Sequence, residues 1–339
     1  MKVLLYTETK KWLSRSGLGR AIEHQERALQ ENGVPYTTSP RDKYDLVHVN
    51  FYGPRSFFLA KGAHLKKRKV VYHAHSTKED FRNSYRFSNA LAPLFKWWIC
   101  RCYRTGDAII TPTPYSKRLL TGYGLKNVHA ISNGVDTEFF RRDEAEGKAF
   151  RAKYGYTPED KVVLGIGLYM ERKGILDFVE MARRMPDVQF IWLGYLTLKV
   201  VPEKIREAVE TDLPNLKFPG YVPQEEVRAA LCGCDLYWFP TQEESEGIPA
   251  LEACACRTPL LVRDIPVFEG WLRDGENCYM AGDLDGFEEK IRAILNGTLP
   301  DLTEAAAKVA QSHDVRAVGK ELIDVYREVL GEKQPDKTE

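Results

Sequence analysis

TQEESEGIPALEACAC, residues 241–256, follows the apolar run DLYWFP (235–240) and ends against Arg257-Thr258-Pro259. The apolar run reads as a buried strand and the later part of the stretch as a short helix, so the chain turns from strand to helix near Gly247. Glu244 and Glu252 stand eight residues apart across that turn. A helix start exposes backbone N–H groups and the positive end of the helix dipole, and carboxylates accept hydrogen bonds from hydroxyls. The stretch therefore suits a polyhydroxylated, anionic ligand. The competing reading is an acidic loop followed by one buried, capped Glu, and spacing alone does not separate the two.

Outward from this stretch the same alternation repeats in both directions. KVVLGIG (161–167), VQFIWLG (188–194), NLKFPG (215–220) and PLLVRD (259–264) are further apolar strands separated by helical patterns, and 303–330 reads as helical. Toward the N-terminus the strands are KVLLYTE (2–8), YDLVHV (44–49), KVVYHAH (69–75), AIITPT (108–113) and NVHAISNGVD (127–136), with an amphipathic helix opened by Gly17-Leu18-Gly19-Arg20 and another through 91–105. Short apolar strands alternating with helices give a parallel sheet covered on both faces. The expected fold class is α/β, with two Rossmann-like doubly wound domains facing across a cleft that takes ligands at the strand carboxyl ends. The expected boundaries are 1–137, 138–320, and a helix end with a disordered tail over 321–339. The charged stretch 137–160 is the expected linker.

The bulk numbers agree with two domains. The 339 residues exceed one ordinary core, and 43% hydrophobic with 29% charged content is globular. The net charge of +1 conceals a split: residues 1–150 carry 26 Lys/Arg against 14 Asp/Glu, and the rest carry 23 against 34. The basic half is expected to face something anionic, whether a phospholipid surface, nucleic acid or the acidic second half. Met1 leads straight into VLLY, so no signal peptide is expected, and no run reaches the ~18 apolar residues of a membrane span. Seven cysteines suit a reducing compartment. Six of them form Cys-x-Cys pairs at 100/102, 232/234 and 254/256, which read as buried small residues and not as zinc ligands.

Four features gather at the expected strand ends. Gly17-Leu18-Gly19 lets backbone approach a phosphate or sugar, although such loops are common turns. His73 and His75 end the third strand, either as structural imidazoles or as donors to hydroxyls. Arg172-Lys173 follows Gly165-Ile166-Gly167 and suits a diphosphate, although such pairs are also ordinary on surfaces. The Glu244/Glu252 segment is the fourth.

Assembled in this order, the chain resembles the retaining GT-B glycosyltransferases of family 4. The Glu-x7-Glu segment carries most of the likeness, with Arg172-Lys173 matching the family's diphosphate pair and Asn133-Gly134-Val135-Asp136 its interdomain turn. The resemblance implies that Glu244 contacts the donor sugar and that Glu252 holds the ribose hydroxyls. It implies that Gly247 and Ile248 offer backbone N–H groups to the sugar, that Gly17 to Gly19 close over the donor beside Gly167, and that Tyr221-Val222 seat the base. His73 would lie beside the sugar ring, with His75 the alternative. Glu246 departs from the family, which usually has an aromatic residue there. SRSGLGRAIEHQ (14–25), HAHSTKEDFRNS (73–84), LAPLFKW (91–97) and TPTPYSK (111–117) narrow the resemblance to bacterial synthases that add a second hexose to monoglycosyl-diacylglycerol.

The implied partners are a UDP-hexose donor, a glycolipid acceptor and an anionic membrane surface, with no nucleic acid. The implied location is the cytoplasmic face of the cell membrane, peripherally bound. Two features support a membrane independently of the family. Phe95, Trp97, Trp98 and Arg101 mix aromatics and cations on one helix, which suits an interfacial anchor. Lys66, Lys67, Arg68 and Lys69 add basic charge, each worth about 1 kcal/mol near anionic lipid. A core helix with a basic wet face is the alternative. Catalysis is expected to be metal-independent, because Arg172 and Lys173 supply the charge a metal would and Asp283-Leu284-Asp285 reads as a helix cap. The remaining alternatives are a soluble or polyprenyl-linked acceptor, a nucleotide-sugar epimerase, and a non-catalytic nucleotide-sugar binder.

Overall fold

In the computed structural model, which describes residues 1–8 and 17–332, the apolar runs become short parallel strands flanked by helices. They fall into two compact units. The first comprises the described residues of 1–79, 90–134 and 313–332, and the second 80–89 and 135–312.

The first unit carries β1 (Val3–Tyr6), β2 (Tyr36–Thr37), β3 (Leu46–Val49), β4 (Lys69–His73), β5 (Ala108–Thr111) and β6 (Val128–Ala130). They form one parallel sheet in the order β2-β1-β3-β4-β5-β6. Successive strand residues point to opposite faces, which divides each apolar run between two cores. Val70 and Tyr72 join Leu4, Val47, Val49 and Ile109 under the Ser88–Tyr103 helix, where Ile99 and Tyr103 are buried. Val71 joins Val3, Leu46 and Ile110 on the other face, which Leu29 of the Gly17–Glu31 helix and Leu322 and Tyr326 of the Val315–Leu330 helix cover.

The second unit carries β7 (Val162–Ile166), β8 (Gln189–Leu193), β9 (Leu216–Gly220), β10 (Leu236–Phe239), β11 (Leu260–Arg263) and β12 (Tyr279–Ala281). Their order is β12-β11-β10-β7-β8-β9, again parallel. From β7 the chain winds outward through β8 and β9, then returns to place β10 on the other side. The carboxyl ends of β7 and β10 are therefore the topological switch point, where an open sheet of this kind leaves a crevice.

The α/β reading and the doubly wound character of each half hold. The division of the chain differs from the expected one in three places. Residues expected to link the halves contain the Glu144–Tyr154 helix, capped by Asp143 and closed by Gly155, and belong to the second unit. The helical run 303–330 is two helices, Thr303–Ser312 and Val315–Leu330, because Asp314 turns its side chain onto Arg316 N and starts a new one. The second of these belongs to the first unit, so the expected boundary at 320 falls inside a helix of the N-terminal half's fold. Residues 80–89, N-terminal by sequence, cluster with the second unit. The expected disordered tail and the loop before Gly17 lie outside the described residues.

Candidate active site

Two glycines fix the backbone at the switch point. Gly174, at φ 78°, follows the one-turn helix Glu171–Lys173, and a Cβ there would lie 2.4 Å from Pro240 O at the end of β10. Gly247, at φ 101°, caps the Ile248–Ala255 helix, and a Cβ there would lie 2.9 Å from the Phe239 ring. Both conformations and both close approaches exclude other residues. The loops after β7 and β10 are thereby drawn together.

Three charged side chains converge in that crevice. Lys173 Nζ donates to Glu244 Oε1, and Arg172 Nη1 lies 3.7 Å from Glu244 Oε2. Thr241 Oγ1 lies 2.9 Å from Glu244 Oε1 and 3.1 Å from Arg172 O, and Gln242 N donates to Arg172 O at 2.7 Å. Arg172 is held further by Glu243 O, which accepts from Nη1 at 3.1 Å. From residues 80–89, Ser84 Oγ accepts from Arg172 Nε at 2.7 Å and Asn83 O accepts from Arg172 N at 3.3 Å. Sequence reading missed Ser84, since a lone serine in a polar loop carries no signal.

Burial and pairing compete at this cluster. Burial raises the Glu244 carboxyl, but the adjacent Lys173 and Arg172, with the hydrogen bonds from Lys173 and Thr241, outweigh it and hold the group below the ordinary carboxylate value. Burial wins at Lys173, whose pKa is lowered despite the stabilising charge of Glu244. The site thus holds two cations beside the Glu244 carboxylate, with Asp80 a further carboxylate acting on Lys173, and the cations are groups that an anionic ligand can engage.

The remaining predicted residues of this unit fall around the same strand ends. Gly167 follows β7, donates to Leu193 O at 2.9 Å and accepts from Trp192 Nε1 at 2.9 Å. Ile248 opens the helix beyond Gly247, Pro249 follows in its first turn, and Glu252 one turn on is completely buried. Glu246 is also buried. Tyr221 and Val222 follow β9, with Tyr221 exposed. Asp283 caps the Leu284–Leu295 helix by accepting from Gly286 N at 2.9 Å, and Asp285 pairs with Arg184 at 2.6 Å, so neither faces the crevice.

In the first unit Gly17, Leu18 and Gly19 form the first turn of the Gly17–Glu31 helix. His73 ends β4 and stacks on His75, ring centroids 4.0 Å apart. Burial depresses both imidazoles, His75 to about 3 and His73 well below its usual value, so both are neutral. His75 Nε2 lies 2.8 Å from Asn50 Oδ1 at the end of β3.

The expected membrane residues divide. Along the Ser88–Tyr103 helix Phe95 and Trp98 are partly buried against the core, where Trp98 Nε1 donates to Tyr52 O at 2.7 Å. Leu91, Leu94 and Trp97 form an exposed stripe, with Arg101 placed 5.3 Å over the Trp97 ring. On the adjoining Pro54–Leu65 helix, Phe58 and Leu65 are exposed, 69% and 87%, and sequence reading did not single them out. The basic run is partly occupied: Arg68 stacks 4.1 Å over Tyr44 and Lys69 pairs with Asp107 at 3.3 Å. Lys66 and Lys67 remain exposed in the turn after the helix. All seven cysteines are buried and reduced.

Comparison with known proteins bears on the family and the fold. The model of "Glycosyltransferase Family 4" matches residues 16–139 and that of "Glycosyl transferases group 1" matches residues 147–313. A processive diacylglycerol alpha-glucosyltransferase of Acholeplasma laidlawii is 40% identical over 97% of this chain and 99% of its own. An alpha-galactosylglucosyldiacylglycerol synthase of Streptococcus pneumoniae is 27% identical over 78% of this chain and 73% of its own. Among solved structures, an Anabaena protein crystallised with UDP-glucose superposes with a TM-score of 0.78 at 16% identity, covering 97% of this chain and 100% of its own. That likeness speaks for the fold.

Proposed function

The chain belongs to glycosyltransferase family 4, and from that premise we propose that it moves glucose or galactose from a UDP-sugar onto a membrane glycolipid, converting monoglycosyl- to diglycosyl-diacylglycerol. The observation that carries the reading is the convergence of Lys173, Arg172 and Glu244 at the switch point of the second sheet. The leaving UDP gains charge in the transition state, and Arg172 and Lys173 stabilise that charge without a metal. As the diphosphate takes over the cations, Glu244 is released to accept hydrogen bonds from the hexose. Glu252 holds the ribose hydroxyls, the N–H groups of Gly247 and Ile248 meet the sugar, and Tyr221-Val222 seat the base. His73 offers an N–H to a substrate hydroxyl, and Gly17 to Gly19 lie over the donor. Attack proceeds on the face the UDP leaves, with its phosphate oxygen taking the acceptor's proton, so the anomeric configuration is retained.

The acceptor lies in a bilayer. Attachment in this reading is peripheral, on the cytoplasmic face; among the described residues no helix is long and apolar enough to cross a membrane. The stripe Leu91, Leu94, Trp97 with Phe58 and Leu65 enters the lipid interface, while Lys66, Lys67 and Arg101 meet anionic headgroups. A second reading, favoured by the Acholeplasma relative, starts one step earlier, with free diacylglycerol as first acceptor and repeated transfer. The test offers UDP-glucose and UDP-galactose against diacylglycerol and monohexosyl-diacylglycerol in anionic vesicles, with products read by mass. Product only from the monohexosyl lipid supports the first reading, and a di-hexosyl product from diacylglycerol the second. Acceptor-independent change of the donor sugar would sink both.

A further inference from the structure

The His73 ring stands in a buried line of side chains that its proposed role does not require. Tyr326, on the helix that returns from the C-terminus, places its hydroxyl 2.5 Å from His48 Nδ1. His48 Nε2 lies 3.2 Å from His73 Nδ1, and Gln25 Nε2 lies 2.9 Å from the same nitrogen. Tyr326, His48, His73 and Gln25 are each at most 5% exposed. They come from four elements: the Val315–Leu330 helix, β3, β4 and the Gly17–Glu31 helix.

Elementary donor and acceptor chemistry orders these protons. An amide nitrogen only donates, so the Gln25 contact makes His73 Nδ1 an acceptor and leaves its proton on Nε2. His48 Nε2, at 3.2 Å, can share that single lone pair with Gln25 only by carrying a proton itself, which makes His48 Nδ1 the acceptor of the Tyr326 hydroxyl. Every member then donates in one direction, from Tyr326 through His48 to His73. The line ends at His73 Nε2–H, a buried donor with no hydrogen-bond partner among the described residues. A buried donor left open is costly, and one at the end of a strand facing the proposed substrate is completed by a ligand acceptor. Burial also holds His48 and His73 neutral, which keeps the tautomers, and not the charges, as the variable.

We infer that Tyr326 and His48 are positioning residues, which with Gln25 lock His73 in the Nε2–H tautomer and so aim a neutral N–H donor at the substrate. The lock itself follows from the geometry of the first unit. Its value to transfer rests on the role proposed for His73 above.

The test uses the full chain labelled with 15N-histidine and long-range proton–nitrogen correlation spectra, which report the tautomer of each ring. In the unsubstituted protein, His48 and His73 are each expected to show a bare Nδ1 and a protonated Nε2. A protonated Nδ1 on His73 would overturn the inference. Tyr326→Phe keeps the ring packing and removes only the hydroxyl. It should shift His48 toward a mixture of tautomers and lower kcat about fivefold at nearly constant donor KM, the worth of one hydrogen bond. Unchanged His48 and His73 signals in that variant would also overturn the inference. If the spectra show the lock but His73→Ala turns over normally, the substrate role of His73 fails and the lock stands.

Discussion

In the proposed transfer Glu244 is the pivotal residue, because its carboxylate pairs with both Lys173 and Arg172. Glu244→Gln preserves shape and removes charge. It should lower kcat/KM by about 10²–10³, the usual loss when one preorganised electrostatic partner is removed. Its effect on UDP should be opposite in sign: the two cations lose their competitor, so calorimetry should find UDP bound as tightly as before or tighter. Parallel losses of UDP affinity and turnover would mean that Glu244 only supports the fold. Glu252→Ala should weaken UDP-sugar binding more than tenfold, and turnover at the normal rate would end the ribose assignment. Ser84 contributes at one remove. Its hydroxyl receives Arg172 Nε at 2.7 Å, so Ser84→Ala should raise donor KM about fivefold, the cost of about 1 kcal/mol in one charge-assisted contact. A KM that does not move would show that Glu243 O holds the guanidinium without it.

At the scale of elements, the proposed membrane attachment rests on the Ser88–Tyr103 helix. Its exposed stripe of Leu91, Leu94 and Trp97 outweighs the basic turn, since Arg68 and Lys69 already have partners within the fold. Burying one large apolar side chain is worth roughly 1.5–3 kcal/mol, against about 1 kcal/mol for a lysine near anionic lipid. Leu94→Glu with Trp97→Glu should therefore reduce co-sedimentation with anionic vesicles more than tenfold. Lys66→Glu with Lys67→Glu should reduce it less, and more steeply at low salt. UDP affinity should stay constant in both. If the charge variant releases the protein and the apolar variant does not, the helix is a wet face of the core. This helix also shows what the sequence made legible. Its existence, its aromatics and the strand ends flanking it were readable from local pattern, because period and turn chemistry act over a few residues. Which aromatics turn outward was not, since that depends on contacts such as Trp98 with Tyr52. The same limit hid Ser84, 88 residues from Arg172, and Tyr326, 278 residues from His48. The Glu-x7-Glu segment was legible because its two carboxylates flank one strand-to-helix turn at Gly247, within a few residues of it.

At the scale of the whole molecule, acid should separate the two units. All seven histidines of the chain lie in the first unit. Four of them are depressed by burial: His24 to about 4, His48 and His75 to about 3, and His73 well below 6.5. Arg20 and Arg27 add to the depression at His24, His75 and His48 add to it at His73, and His48 adds to it at His75. Well above pH 6.5 these rings are neutral in both the folded and unfolded chain, so they leave stability unchanged. Below 6.5 the unfolded chain binds protons that the fold refuses, and stability falls with pH until the folded groups titrate near 3 to 4. Each imidazole contributes a slope of about 1.4 kcal/mol per pH unit. Four together should remove several kcal/mol by about pH 5.5, a large part of the 5–15 kcal/mol typical of a domain. The second unit has no histidine, and its Glu244 and Glu226 are held below the ordinary carboxylate value, so their stabilisation is lost only as pH falls through that lower range. Amide exchange followed by mass spectrometry across pH 7 to 4 should find protection in β3, β4 and the Val315–Leu330 helix lost first. Protection in β7 and β10 should persist to lower pH. Simultaneous loss in both sheets would mean that the units unfold as one cooperative body, and retention of β4 protection at pH 4.5 would mean that its imidazoles accept protons without leaving the fold.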